Sequence, residues 1–302
     1  MTRTVGSGKW TFEPVADWGR SAARPQLGLV SGVACGPDDT VYVFQREPQA
    51  MMLVFDRDGT LLRTWGLGDF RHPHGVWIGP VGGSNVSASP GQSGQDPVVL
   101  LTDRDLHQVL RYSLAGERLA AWGTAGQPGA PGQPFNQPAR ATATAAGDIF
   151  VADGYGQHRV HRFTADGQLI RSWGQQGTGP GEFGWPVHDV CLDPRGRLLV
   201  ADRGNNRIQH FTPDGEYLGE WPGLQTPQAV CITPDQEVFI AEGAGAITVM
   251  NLDGDVLCRW GEKGDQPGQF AASPHSLWLD SRGDLYVGEV TTPDRFQKFI
   301  RR

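Results

Sequence analysis

Val187-His188-Asp189-Val190-Cys191-Leu192, a turn at Pro194-Arg195-Gly196, then Leu198-Leu199-Val200-Ala201-Asp202: these residues open the cleanest of six repeats in the chain. The unit continues through Arg207-Ile208-Gln209-His210-Phe211, Asp214-Gly215 and Tyr217-Leu218-Gly219-Glu220-Trp221. Short runs with alternating apolar positions, bounded by Gly, Pro and Asp, read as half-buried strands, so one unit reads as four of them. The closing tryptophan recurs at Trp18-Gly19, Trp65-Gly66, Trp122-Gly123, Trp173-Gly174, Trp221-Pro222 and Trp260-Gly261, at intervals of 39 to 57 residues. A repeat of that length built from short strands is the signature of propeller blades. The chain is therefore read as all-β, a six-bladed β-propeller.

Asp-Gly recurs between the third and fourth strands, at Asp58-Gly59, Asp166-Gly167, Asp214-Gly215 and Asp253-Gly254, with Ala115-Gly116 in blade 2. It is expected to form a two-residue hairpin turn with both residues at positive φ. Blade 6 lacks this hairpin, because the sequence stops after Arg295-Phe296-Gln297-Lys298-Phe299 and the residues to Arg302. A spare strand, Trp10-Thr11-Phe12-Glu13-Pro14, stands at the other end. It is expected to complete blade 6 and close the ring, which removes two open sheet edges. Residues 1–302 are thus read as one propeller domain, with 80–97, rich in Gly, Ser and Pro, as a flexible loop inserted in blade 2.

The formal net charge is −7 and there are no basic runs, which argues against nucleic acid or an anionic membrane as partner. No apolar stretch reaches spanning length and no signal-type apolar region opens the sequence, so a cytoplasmic location is expected, and a monomer. Cys35, Cys191 and Cys231 share one repeat position in three blades, too far apart to bridge; buried thiols in a reducing compartment are expected.

One register of the repeat carries the chemistry. It reads Ser31, His74, Ala139, His188, Gln228, His275, with histidine in every second blade. In a closed six-fold ring, alternate blades stand about a third of a turn apart around the channel. Three imidazoles so placed can converge on one metal, zinc by preference, though iron, cobalt or copper suit the same ligands. The end of strand two faces the same side as the start of strand one. Arg46, Arg203 and Tyr155 stand there, an anion clamp and a proton acceptor beside the metal. Positive charge from the arginines is expected to favour the Tyr155 phenolate. The connections 123–137, 174–186 and 261–274 are expected to wall this face. Asp103, Asp153 and Asp202, ending strand two, read as turn-stabilising acceptors. His72, His107, His158, His161 and His210 lie outside the alternating register and read as structural or surface residues.

These motifs carry a resemblance. Val30-Ser31-Gly32-Val33-Ala34, Phe44-Gln45-Arg46, Pro73-His74-Gly75-Val76, Leu106-His107-Gln108-Val109, Asp153-Gly154-Tyr155, His188-Asp189-Val190, Ala201-Asp202-Arg203 and Pro274-His275-Ser276-Leu277 resemble peptidyl-α-hydroxyglycine α-amidating lyases, on a repeat that resembles the NHL repeat. The resemblance implies a zinc lyase that cleaves the N–Cα bond of a C-terminal α-hydroxyglycine to give an amide and glyoxylate. His74, His188 and His275 would then hold zinc, Tyr155 would take the hydroxyl proton, and Arg46 and Arg203 would hold a substrate carboxylate. The sequence departs from that family's pattern at three places. Val187 separates Pro186 from His188. Ser276 stands where an acidic residue tied to a structural calcium is usual, which puts that calcium in doubt. Gly156 and His210 stand where the secreted animal enzymes carry cysteines. Two other readings of the same residues remain: a non-catalytic propeller that docks a protein or peptide, and a metal-dependent enzyme of another class, such as a lactone or ester hydrolase.

Overall fold

The structure is a computed structural model that describes residues 3–22, 26–80, 96–144 and 146–302. Most of the predicted loop 80–97 therefore lies outside the described residues.

Each repeat folds as an antiparallel sheet in sequence order from the axis outward. Blade 4 runs Val187–Leu192, Leu198–Asp202, Arg207–Phe211 and Tyr217–Trp221. Burial falls off along that order. The innermost and second strands are buried at every residue, whereas the outermost strand of blade 1, Leu61–Trp65, is exposed at four of five. Inner strands are covered on both faces by neighbouring blades, so they read as near-continuous apolar runs; only the rim strands have a wet face.

The ring closes as the sequence implies. Trp10–Val15 pairs antiparallel with Phe296–Arg301, with Phe12 opposite Arg301 and Val15 opposite Lys298. The sheet goes one strand further than expected, because Val5–Ser7 folds back on Trp10–Val15 and gives blade 6 a fifth strand.

Five of the six recurring tryptophans wedge between blades by one rule, lying on the hairpin glycine of the next blade, while Trp260, which faces blade 6, stacks on Phe12. A Cβ at Gly116 would fall 2.5 Å from Trp65, at Gly167 1.8 Å from Trp122, at Gly215 2.7 Å from Trp173 and at Gly254 2.5 Å from Trp221. Trp18 takes the same place against Gly59 and joins blade 6 to blade 1. The spacing of both residues in sequence thus reflects one contact repeated around the ring.

The turns themselves differ from expectation. Gly59 has φ +94° but Asp58 is not among the residues of positive φ. Gly59 N–H donates to the Asp56 carbonyl and Asp56 N–H to that of Thr60, and the pairing slips between Val54 and Phe55. This is a longer loop, a tight turn ended by a left-handed glycine with a bulge, and only the glycine needs positive φ. The same hydrogen-bond pair recurs at Ser113–Glu117, Thr164–Gln168, Thr212–Glu216 and Asn251–Asp255. Cys35, Cys191, Cys231 and Cys258 are all buried thiols. Among the described residues no helix is long and apolar enough to cross a membrane.

Candidate metal centre

The pairing between the first and second strands slips at the register that carries the histidines. It jumps between Pro73 and Val76, between Val187 and Asp189, and between Pro274 and Ser276. It also slips between Val30 and Gly32 and between Pro227 and Ala229. A bulge leaves a residue out of the ladder and re-aims its side chain. Here the freed side chain points into the channel instead of into the space between blades.

His74, His188 and His275 meet there. Their ring centroids stand 4.8 to 5.0 Å apart, and one ligand nitrogen from each lies within 4.8 Å of the others. All three are buried. Each is oriented by a carbonyl of an intervening blade at the same register: His74 Nδ1 by Ala139 O (2.8 Å), His188 Nδ1 by Gln228 O (2.6 Å) and His275 Nδ1 by Ser31 O (2.8 Å). A carbonyl only accepts, so each Nδ1 carries the proton and each Nε2 offers a lone pair to the axis.

That leaves three converging lone pairs and one donor. Tyr155 Oη lies 3.0 Å from His74 Nε2 and 3.0 Å from His188 Nε2, yet a phenol has a single proton to give. His275 Nε2 has no hydrogen-bond partner among the described residues. Buried acceptors left short of donors are costly. A cation satisfies all three at once, and the ligand set, three neutral imidazoles with outer hydrogen bonds to carbonyls, suits zinc. Protonation is no substitute. Burial, with the neighbouring imidazoles and arginines, holds His74 and His188 well below the usual imidazole range, and burial with Arg46 takes His275 to about 3.

Around the triad stand the predicted partners. Arg46 is the last residue but one of the second strand of blade 1, Val41–Glu47, and donates Nε–H to Pro73 O at 3.1 Å. Arg203 follows the second strand of blade 4 in a single 3-10 turn, Arg203–Asn205. Neither forms an ion pair among the described residues, whereas Arg57, Arg197, Arg207 and Arg295 all do. Burial lowers Arg46 to about 10, still protonated at neutral pH. For Tyr155 the expectation of a favoured phenolate is corrected. Burial raises the phenol above its ordinary value and outweighs the downward pull of Arg203, Arg46 and Arg104.

Three further residues belong to the site: Arg104, which shares the register of Arg46 and Arg203, and Trp185 and Arg140, which no repeated pattern reveals. The Arg104 guanidinium lies over the Tyr155 ring, 5.6 Å from its centroid. Trp185 meets that ring edge-on at 5.8 Å, donates Nε1–H to the Tyr155 carbonyl at 2.9 Å, and is 59% exposed. On the other side of the histidines, buried Arg140 stands 3.6 Å from buried Asp189. Ser276 Oγ, at the position where the resemblance would place an acid, is buried without a hydrogen-bond partner.

The remaining readings sort as follows. Asp103 accepts from the N–H groups of Arg71, His72 and Leu106, Asp153 from that of Asn136, and Asp202 from that of Gly184. His107 Nδ1 accepts from Gln137 N–H, and His161 is buried against Asp153. His210 packs against Trp221 with centroids 4.4 Å apart.

Comparison with known proteins agrees with this architecture. A family model of the NHL repeat matches residues 187–211. NHL repeat-containing protein 3 of Homo sapiens is 36% identical over 282 residues, covering 86% of this chain and 76% of that protein. Peptidyl-alpha-hydroxyglycine alpha-amidating lyase 1 of Drosophila melanogaster is 32% identical over 158 residues, 49% of this chain and 26% of that protein. Among solved structures, a streptogramin B lyase superposes with a TM-score of 0.63 over 98% of this chain and 100% of that one; at 15% identity this is a likeness of fold.

Proposed function

The chain belongs to the NHL repeat-containing protein family, and from that premise we propose that it is a zinc-dependent carbon–nitrogen lyase. Its substrate would be a C-terminal α-hydroxyglycine or a close analogue, and its products an amide and glyoxylate. The observation that carries this reading is the convergence of three buried histidines, with one phenol between two of their Nε2 atoms. A propeller that only docks a protein has no use for such a ring, and homology to amidating lyases favours this chemistry over ester or lactone hydrolysis.

Zinc held by His74, His188 and His275 would supply a Lewis acid at the substrate hydroxyl. Arg46 and Arg203, free of carboxylate partners, would receive the substrate carboxylate and fix the hydroxyl beside Tyr155. Tyr155, entering as the neutral phenol, would give its own proton to the departing amide nitrogen and take the hydroxyl proton in its place. The C–O electron pair forms the aldehyde as the N–Cα bond breaks, so atoms and charge balance and the phenol is regenerated. Burial raises the Tyr155 phenol, and the surrounding arginines offset that cost by stabilising the negative charge that grows on Oη during transfer. Trp185 presents an exposed aromatic face to whatever chain extends from the reacting group.

The test is metal content and glyoxylate release measured together. About one zinc per chain by mass spectrometry, lost to chelator along with glyoxylate production from an α-hydroxyglycine peptide, is the expected result. A protein that takes up no zinc would overturn the reading.

A further inference from the structure

Blades 3 and 4 hold an arginine at one repeat position and treat it in opposite ways. In blade 4 the second and third strands pair Asp202 with Arg207; in blade 3 the same pair is Asp153 with Arg159. Arg207 is saturated. It donates to Asp202 (2.7 Å), to Glu220 (2.8 Å) and to the carbonyls of Gly179 and Glu182 (2.9 Å each). Arg295 of blade 6 is held in the same fashion by Glu289 and by the carbonyls of Asp265 and Gln269.

Blade 3 has removed each of these partners from its arginine. Ser172 occupies the position of Glu220, and His161 that of Gln209. His161 takes Asp153 through Nε2 at 3.1 Å and Ser172 through Nδ1 at 2.6 Å. Gln157 takes what is left of Asp153, at 2.6 Å. The Arg159 side chain has no hydrogen bond or ion pair among the described residues. It faces a cleft of about 380 Å³ between the connections 123–137 and 174–186. Asn136, Gln157, Gln175 and Gln176 line this cleft with it, together with glycine backbone, and no carboxylate does. On a chain of net charge −7, that is a local reversal of sign. The amides of Asn136, Gln157 and Gln175 are bonded to Gly156 O, to Asp153 and Gln133 O, and to Glu182. The guanidinium is therefore what the cleft offers, and a half-buried guanidinium without a carboxylate partner fits an anion.

The cleft is joined to the metal centre by chain. Gly156, Gln157 and His158, which line it, follow Tyr155 directly. His158 Nδ1 meets Gly184 O at 3.2 Å, and neighbouring Trp185 is bonded to the Tyr155 carbonyl. Trp185 thus stands between the metal centre and the cleft, on the connection that walls it.

We propose that the cleft between blades 3 and 4 is an anion subsite, in which Arg159 receives an acidic side chain from the peptide portion of the substrate. This rests on the lyase reading above, and it gives that reading a substrate class: peptides with Asp or Glu shortly before the reacting residue. The probes are acetylated tetrapeptide amides, the uncleavable product form, with a single Glu or Gln walked through each position. Binding to the zinc-loaded protein is read by titration calorimetry. Glu should bind about tenfold tighter than Gln at one or two positions, an increment of about 1.4 kcal/mol. R159Q should erase that preference and R159K should keep part of it, with zinc stoichiometry as the control for folding. Equal binding of Glu and Gln peptides at every position would overturn the subsite, as would a preference that survives in R159Q. Inorganic phosphate that binds through Arg159 while the peptides show no preference would mark a site for free anions and overturn it too. If the Arg159-dependent preference holds but no hydroxyglycine peptide yields glyoxylate, the subsite stands and the lyase reading falls.

Discussion

Blades 2, 4 and 6 and blades 1, 3 and 5 use one backbone position in two ways. In the even blades the channel-facing residue is His74, His188 or His275, and its side chain reaches the axis. In the odd blades the residue is Ser31, Ala139 or Gln228, and its carbonyl holds the imidazole of a neighbouring blade at 2.6 to 2.8 Å. The backbone is the same, bulged out of the ladder in five of the six. What differs is which part of the residue does the chemistry. Six-fold repetition therefore yields a three-fold site without asymmetry in the fold: half the blades supply ligands, half supply the groups that fix their tautomer.

The comparison breaks first at the even blades. Replacing any one of His74, His188 or His275 by Ala should take zinc from about one per chain to near none, with glyoxylate release falling to background. Two imidazoles would be left, one short of the three protein ligands that catalytic zinc sites keep. A single mutant with full zinc would show that the ring is held together for some other reason.

Next comes Tyr155, which belongs to neither set. Tyr155→Phe removes the hydroxyl that sits between two ligands but leaves all three Nδ1 anchors in place. Zinc should be retained, while turnover falls by about 10²–10⁴-fold, the range for loss of a positioned acid–base group. Retained turnover would hand proton transfer to another group.

A smaller effect tests the odd-blade carbonyl itself. Thr102 Oγ1 lies 2.7 Å from Ala139 O and also accepts from Gly75 N–H at 2.7 Å, so it ties an odd-blade anchor to the loop of His74. Thr102→Val should cut zinc affinity by about 10-fold, the lower end for outer hydrogen-bond partners of metal ligands. It should also destabilise the fold by about 1–3 kcal/mol through the orphaned Gly75 N–H. A competition titration with a chelator separates the affinity change from the shift in denaturation midpoint.

How much of this is legible in sequence depends on whether a feature repeats. The histidine register, the tryptophans and the borrowed strand Trp10–Val15 each recur, or fail to recur, at a fixed place in the unit, so spacing alone exposes them. The bulge does not show, because a slipped pairing leaves the apolar run Val187–Leu192 looking like any buried strand. The hairpins mislead because Asp-Gly suits two turn types, and the flanking residues Asp56 and Thr60 decide between them by hydrogen bonding. Arg140 and Trp185 escape for a different reason: the other blades carry unlike residues at their registers, such as Gly32, Gly75, Asp189, Ala229 and Ser276 at that of Arg140, so nothing repeats there. Arg159 lies in a comparable register, but its meaning depends on His161, two residues on in the same strand, and Ser172 in the next, where blade 4 has Gln209 and Glu220. The direction of the Tyr155 shift escapes because charge is visible in sequence and burial is not.

The smallest expected effect is the sharpest test of the alternation. Ser31→Ala and Gln228→Ala change side chains at the same register as the ligands but leave the carbonyls that orient His275 and His188. Each removes one hydrogen bond, from Ser31 Oγ to Phe44 O at 3.2 Å or from Gln228 Nε2 to Ser273 Oγ at 3.0 Å. Stability should drop by about 0.5–1.5 kcal/mol per bond, and zinc stoichiometry should stay at one. If either substitution strips the metal as a histidine substitution does, the odd blades contribute through their side chains. The two sets of blades would then be six unequal ligand positions, and the alternation would lose its division of labour. If both variants keep their zinc, the carbonyl is the working group at that register, and any small residue there will serve.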